Sequence, residues 1–343
     1  MHEITPYGPL AARLLLLTVG ILLIFGQGCQ TPNTPDSIER PASGKRLPSG
    51  NITFVHETLP LGDVVRRLGE TIGGRLALMA GLEEYPARAA EHRNRTFGAI
   101  AEYLAASAQA QALELPQGWF ICPPGYELLT EIRIAERLPA RYSGIRATVA
   151  FGAKTPLYNV FAVMSENLGI NIVADNFLTE ARCGELFLDD TPLADMLELI
   201  LMSARIPASE LVLEATDEYI LFTSARNPRT APALLNPDAA DDPVVAALLD
   251  RTIALVSLPF PGANPVETAF SGRPAPLREI LTPLSRQLGV RVAAYRSMAD
   301  IPVTPCLLRN IRVRTVIELL LRQWPVDTFG YEVSSERILL RPR

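Results

Sequence analysis

One helix signature, written three times without an internal gap, constrains this chain more than any other feature. Pro60 opens the first copy, Leu61-x-x-Val64-Val65-x-x-Leu68-x-x-x-Ile72-Gly73. The second is Pro156, Leu157, Val160, Phe161, Met164, Leu168, Gly169, and the third is Pro276, Leu277, Ile280, Leu281, Leu284, Leu288, Gly289. The copies lie 96 and then 120 residues apart. A proline at the first helical position, an apolar stripe at helical spacing and a glycine stop together specify one short amphipathic helix. The period is longer than that of solenoid repeats, so the pattern predicts tandem domains.

Around each signature the same elements recur, and we expect three α+β domains in β-α-β-β-α-β-β order, two helices on small sheets. Domain 1 covers 51–129: a strand from Ile52, the helix, a strand from Arg75, a polar connection over 80–95, a second helix marked by Phe97, Ile100 and Leu104, and a hairpin turning at 116–118. Domain 2 covers 146–225, with Thr155 as the expected N-cap of the signature helix and Thr191-Pro192 opening the second. Domain 3 covers 266–343; its first strand is expected near Thr268, and Pro283 inside its signature helix should bend that helix or delay its start. Residues 130–145 and 226–265 are read as linkers, the second with a helix over 244–258. Glu102, Glu198 and Glu318 fall at matching places on the second helices and are read as exposed structural charges.

The N-terminus reads as a targeting segment. Residues 14–26 are an apolar run of 13, too short to span a bilayer and right for a secretory core. Gly26-Gln27-Gly28-Cys29 then resembles a bacterial lipobox, with Gly26 and Gln27 where that pattern prefers leucine and alanine or serine. The resemblance implies a signal peptide over 1–28 and a lipidated Cys29; Gln30, not being aspartate, implies sorting to the outer membrane, facing the periplasm. The Pro, Ser, Thr and Gly of 29–50 make a flexible tether.

Chemistry is sparse. A net charge of −5 and three histidines argue against nucleic acid and against a metal site. His56 and His92 have no Cys or Asp at ligand spacing and are read as surface residues. Asp189-Asp190 is read as a complement to the dipole of the following helix. No nucleophile elbow or phosphate loop occurs, so neither enzyme nor cofactor is expected. Cys122, Cys183 and Cys306 fall one per domain at unmatched places and are expected to be buried thiols. Domain 2 carries four basic against twelve acidic side chains; domain 3 carries twelve arginines, no lysine and seven acids. Opposite neighbours could attract one another, or each could meet its own partner. Arg309, Arg312, Arg314 and Arg322 are the candidate binding residues of domain 3.

Taken together, the strings Thr155 to Asp175, Leu193 to Leu201 and Tyr219 to Phe222, with Pro276-Leu277, Leu288-Gly289 and Glu318-Leu-Leu-Leu in the third domain, resemble the short N-terminal domain shared by secretins and TonB-dependent receptors. In those families the domain is a periplasmic docking module for inner-membrane components or anti-sigma regulators, and a barrel follows it. Here the sequence reaches Arg343 with no barrel segment after the third copy. The resemblance implies a lipid-anchored docking protein of an envelope secretion, pilus or receptor-signalling complex, with envelope proteins as partners, the membrane reached through Cys29, and a homo-oligomer as a further expectation. The alternative is a structural module whose arginine-rich third domain contacts peptidoglycan or anionic lipid.

Overall fold

The computed structural model describes residues 50–126, 133–225, 233–258, 273–324 and 329–343. The first repeat runs β1 (Ile52–His56), β2 (Leu59–Pro60), α1 (Leu61–Ile72), β3 (Arg75–Leu78), β4 (Pro86–Ala87), β5 (Ala90–Arg95), α2 (Phe97–Ser107), β6 (Gln111–Leu115) and β7 (Gly118–Cys122). The second runs β8 (Arg146–Phe151), α3 (Leu157–Leu168), β9 (Ile172–Ala174), β10 (Leu186–Pro192), α4 (Leu193–Ser203), β11 (Leu211–Ala215) and β12 (Ile220–Ser224). The third runs β13 (Ala233–Leu234), α5 (Pro243–Asp250), β14 (Thr252–Leu258), β15 (Ala275–Pro276), α6 (Leu277–Leu288), β16 (Arg291–Ala294), β17 (Pro302–Val303), β18 (Cys306–Arg312), α7 (Val313–Arg322), β19 (Phe329–Val333) and β20 (Arg337–Pro342). The class is α+β.

Each repeat builds the same two sheets. Its first strand pairs antiparallel with its middle strand: β1 with β5, β8 with β10, β14 with β18. In a second sheet the closing hairpin meets the strand after the signature helix in parallel, giving the orders β6-β7-β3, β11-β12-β9 and β19-β20-β16, with β13 added beside β19, while β2 pairs with β4 and β15 with β17 separately. The start of each signature helix is clamped by the middle loop in the same register. Leu61 N–H donates to Tyr85 O (2.8 Å), Leu157 N–H to Ala181 O (2.8 Å) and Leu277 N–H to Ile301 O (2.9 Å). The middle loops, which look unrelated in sequence, therefore match bond for bond. Residues 80–95 are likewise no featureless connection, since they contain β5.

The signature helices are 12 residues each. Each begins after an extended proline, whose missing N–H costs nothing there, and stops at Gly73, Gly169 or Gly289 at φ 80°, 65° and 60°. Pro156, not Thr155, occupies the cap position, and the Thr155 hydroxyl donates to Gly152 O instead. Pro283 neither delays nor interrupts α6, which starts at the same place as its siblings.

The expected helix over 244–258 is wrong in its second half. α5 ends at Asp250, and β14 supplies the first strand of the third repeat along the whole of β18. The strand expected near Thr268 lies outside the described residues. Alternation explains the miss: Ile253, Leu255 and Ser257 against Val256 and Leu258 suit a strand, but the adjoining apolar run over 244–249 also suits a helix.

Repeats 1 and 2 share one continuous core, to which Leu68, Phe120, Phe161 and Met196 belong. Repeat 3 has its own core, joined by Val173 and Leu221 from the outer face of the repeat 2 sheet.

Candidate functional site

Part-buried ion pairs and side-chain bonds to backbone recur where one repeat docks on the next. The donor half of each junction is the middle strand and the helix that follows. A residue takes positive φ at the same place near the end of each middle strand, Asn94 (54°), Asp190 (40°) and Asn310 (47°); the ladder bulges there at β1–β5 and β10–β8, while β14–β18 keeps its register. Asn and Asp are the non-glycine residues that tolerate this region best. The acceptor half is the signature helix and the edge strand after it, α1 with β3, and α3 with β9.

At the first junction β10 adds antiparallel to β3, pairing Leu186 with Ala77 and Leu188 with Arg75, so the two repeats form one five-stranded sheet. Phe187 lies against Gly69, where a Cβ would overlap its ring. Gly184 passes so close to Leu78 O that no side chain fits. Arg75 donates through Nε to Asp189 O (3.2 Å) and through Nη2 to Asp190 O (2.8 Å). Arg66 grips the buried Glu185 with two bonds (2.7 and 3.1 Å), and Ala153 N–H completes that carboxylate's set (2.9 Å). The bond from Glu185 raises the Arg66 pKa above its ordinary value, against the cost of burial. Ala80 N–H donates to Ser203 O at the end of α4 (2.8 Å).

Glu198 on α4 was expected to be an exposed charge and is not. It is 3% exposed, accepts Ile134 N–H (2.6 Å) and is bonded by Gln117. Burial raises its pKa and these two bonds oppose the rise. Its counterparts differ, Glu102 being exposed and Glu318 half-buried against Tyr331. Helix spacing alone cannot show that α4 is covered on both sides, by its own repeat and by the preceding one.

The second junction repeats the first with different chemistry. β18 lies on α3 and β9, and no ladder forms between β9 and β18. Asn171 substitutes for the missing backbone. Its Nδ2 donates to Arg309 O (2.9 Å) and Glu218 O (2.8 Å), and its Oδ1 accepts Arg309 N–H (2.7 Å). Asn176 N–H donates to Gln323 O (2.8 Å), the counterpart of the Ala80–Ser203 bond. Ion pairs flank this: Arg322 with Glu214, Arg312 with Glu218 (2.6 Å), and Thr315 Oγ1 on Glu218 (2.7 Å). Arg322 holds the Glu214 carboxyl below its ordinary range. At Glu218 burial pushes upward, but the bonds from Arg312 and Thr315 outweigh it and the net shift is down.

Of the four arginines singled out from sequence, three therefore face this junction: Arg309 through its backbone, Arg312 and Arg322 through ion pairs. Arg314 pairs with Asp250 (2.7 Å). Asp189 and Asp190 sit in the β10 bulge and serve the first junction, with Arg146 Nε on Asp190 Oδ1 at 2.9 Å and Thr148 on Asp189 at 2.8 Å; they are not a helix-dipole pair. His56 and His92 are not on the surface. They are 4% and 7% exposed, stacked with centroids 5.7 Å apart, and each leaves Nε2 without a partner among the described residues. Cys122, Cys183 and Cys306 are buried thiols outside any disulfide, and burial pushes Cys183 and Cys306 up to about 12. Cys29 lies outside the described residues. Among the described residues no group of three His, Cys, Asp or Glu side chains is placed to hold a metal, and no helix is long and apolar enough to cross a membrane.

The sequence held one signal for the junctions, the charge contrast between repeats 2 and 3. It did not show Asn171 or Arg75, whose importance comes only from where the edge strand lies. Comparison of the chain with protein-family models, with curated proteins and with solved structures found no match.

Proposed function

We propose that this protein is a non-enzymatic docking scaffold of the cell envelope, lipidated at Cys29, tethered at the outer membrane on its periplasmic side and engaging protein partners of a secretion, pilus or receptor-signalling complex. One observation carries the reading. The repeat is a module whose edge strand, signature helix and charged rim bind another module of the same kind, and the chain uses that surface twice. A unit built this way recognises proteins through strand edges and helix faces. The resemblance of the repeats to the docking domain of secretins and TonB-dependent receptors supports the same function class. The alternative reading, a third repeat resting on glycan or anionic lipid, draws on exposed arginines such as Arg291, Arg296 and Arg337, since Arg312, Arg314 and Arg322 pair with Glu218, Asp250 and Glu214.

The test is in cells. Mass spectrometry of the N-terminal peptide should find acyl groups on Cys29, Cys29→Ser should release the protein from the membrane fraction, and photo-crosslinking from surface positions should join it to an envelope protein. An unmodified Cys29 with no envelope crosslink would refute the proposal.

A further inference from the structure

Each internal junction fills the same positions on its acceptor, and among the described residues nothing fills those positions on the third repeat. The residue at the start of the acceptor segment donates from its side chain to the carbonyl just before the positive-φ residue, Arg75 to Asp189 O and Asn171 to Arg309 O. The residue five further on donates its N–H to the last turn of the donor helix, Ala80 to Ser203 O and Asn176 to Gln323 O. The corresponding residues of repeat 3 are Arg291 and Arg296. Both are exposed, and among the described residues neither the Arg291 guanidinium nor the Arg296 N–H has a partner.

The apolar floor is present too. Val65 and Phe161 are buried under their neighbours, and their counterpart Leu281 is half-buried. Val173 and Leu221 are buried against repeat 3, while the matching Ala293 and Leu339 are half-buried and Tyr295 beside them is 46% exposed. β16 is the edge of its sheet. Ser285 Oγ holds the Val292 N–H (2.8 Å), as Ser165 Oγ holds that of Ile172 (3.2 Å). The free edge is therefore set for the side-chain-mediated docking of the second junction and not for a full ladder.

Charge selects the occupant. Each internal junction joins opposite signs, Arg75 against Asp195 in one and Glu214 and Glu218 against arginines in the other. The open face is basic, with Arg337 beside Arg291 in the parallel register of β16 and β20. A second copy of this chain does not fit. Where β10 carries Phe187, Leu188, Asp189 and Asp190, the first repeat has Glu91, His92, Arg93 and Asn94, which would set Arg93 against Arg291. The geometry points to a partner protein that docks on the α6–β16 face of the third repeat with an apolar strand ending in an acidic bulge. This rests on the docking-scaffold reading and specifies its open surface.

The probe is a fluorescein-labelled peptide of residues 184–195, the chain's own strand and acidic bulge, titrated into the full chain by anisotropy. Saturable binding is expected, weakened about tenfold or more by Arg291→Glu, which removes the donors to the backbone carbonyls of residues 189 and 190, and by Asn at peptide position 195, whose carboxylate meets Arg75 in the first junction. Arg291 is exposed, so the variant should keep the wild-type circular dichroism and melting midpoint. A photoreactive residue in place of the peptide's Leu186 should label Arg291–Ala294. Four results would overturn the inference: no binding beyond a scrambled peptide, equal binding to Arg291→Glu, label on Arg75–Leu78 through strand exchange, or head-to-tail self-association in sedimentation that Arg291→Glu abolishes. If the peptide fails while Cys29 acylation and envelope crosslinks at other surfaces hold, this inference falls and the scaffold reading stands.

Discussion

Asn171→Ala should uncouple repeat 3 from repeat 2 while leaving both folded. Asn171 is buried, and its amide makes three bonds to backbone groups, two to Arg309 and one to Glu218. Each net bond contributes about 1 kcal/mol, and a desolvated group left unpaired costs about 1–3 kcal/mol. The Arg309 and Glu218 backbones are only part-buried, so water recovers some of the loss and the lower end applies. We expect a cost of about 2–3 kcal/mol, falling on the interface term between repeats and not on either core. Urea unfolding should show a separate early transition, and hydrogen exchange should speed at Arg309 while Leu61, Leu157 and Leu277 keep their protection. Asn171→Asp retains an acceptor for the Arg309 N–H but turns a carboxylate toward Arg309 O, so it should not rescue the loss. A cost under about 0.5 kcal/mol with unchanged exchange at Arg309 would refute the claim that this amide replaces the ladder.

Four further outcomes follow from the same geometry. Gly69→Ala should cost about 1–3 kcal/mol by driving a methyl into Phe187, with the loss appearing in the shared core of repeats 1 and 2 and checked by calorimetry. The Glu214 carboxyl is held below its ordinary range by Arg322, so its contribution is full above the ordinary carboxylate pKa and is lost as pH falls through the folded value; Glu214→Gln should remove that acid-dependent part, about 0.5–1 kcal/mol after screening, in denaturation curves compared at pH 7 and pH 3. Burial, with His56 and Arg95 adding, depresses the His92 pKa; stability of repeat 1 is then complete above the ordinary histidine value near 6.5 and declines as pH drops below it, and His92→Phe, which keeps the stack with Phe54 and Tyr103, should flatten that decline in melts from pH 8 to 5. Cys183 and Cys306 should resist a thiol reagent in the native protein and react only on unfolding, because burial holds both near 12; rapid native labelling of either would contradict their burial.

Much of the fold was legible because it rests on local rules. The proline, the apolar stripe and the glycine at each signature gave three helices at their true starts, since a helix boundary depends on nearby backbone groups. The polar stretch 80–95 hid β5, because an edge strand with one solvated face has few apolar residues to alternate. The docking residues were less legible. Asp189 and Asp190 look like helix-start acids, and only the bulge, at φ 40° for Asp190, turns their carbonyls toward Arg75. His56 and His92 looked exposed because nothing local shows that α2 covers one face of the β1–β5 pair.

By itself, then, the amino-acid sequence determined the three signature helices, the order of the copies and the opposite net charge of the second and third. Those follow from interactions between residues a few positions apart or from simple counting. The tertiary structure decided which face each copy offers to the next, that Asn171 does at one junction the work a β-ladder does at the other, and that no described residue covers the acceptor face of the third copy. These depend on contacts between residues more than a hundred positions apart, such as Arg66 with Glu185 and Asn171 with Arg309. No local pattern encodes the distance across such a pair, because it is set only when two folded modules meet.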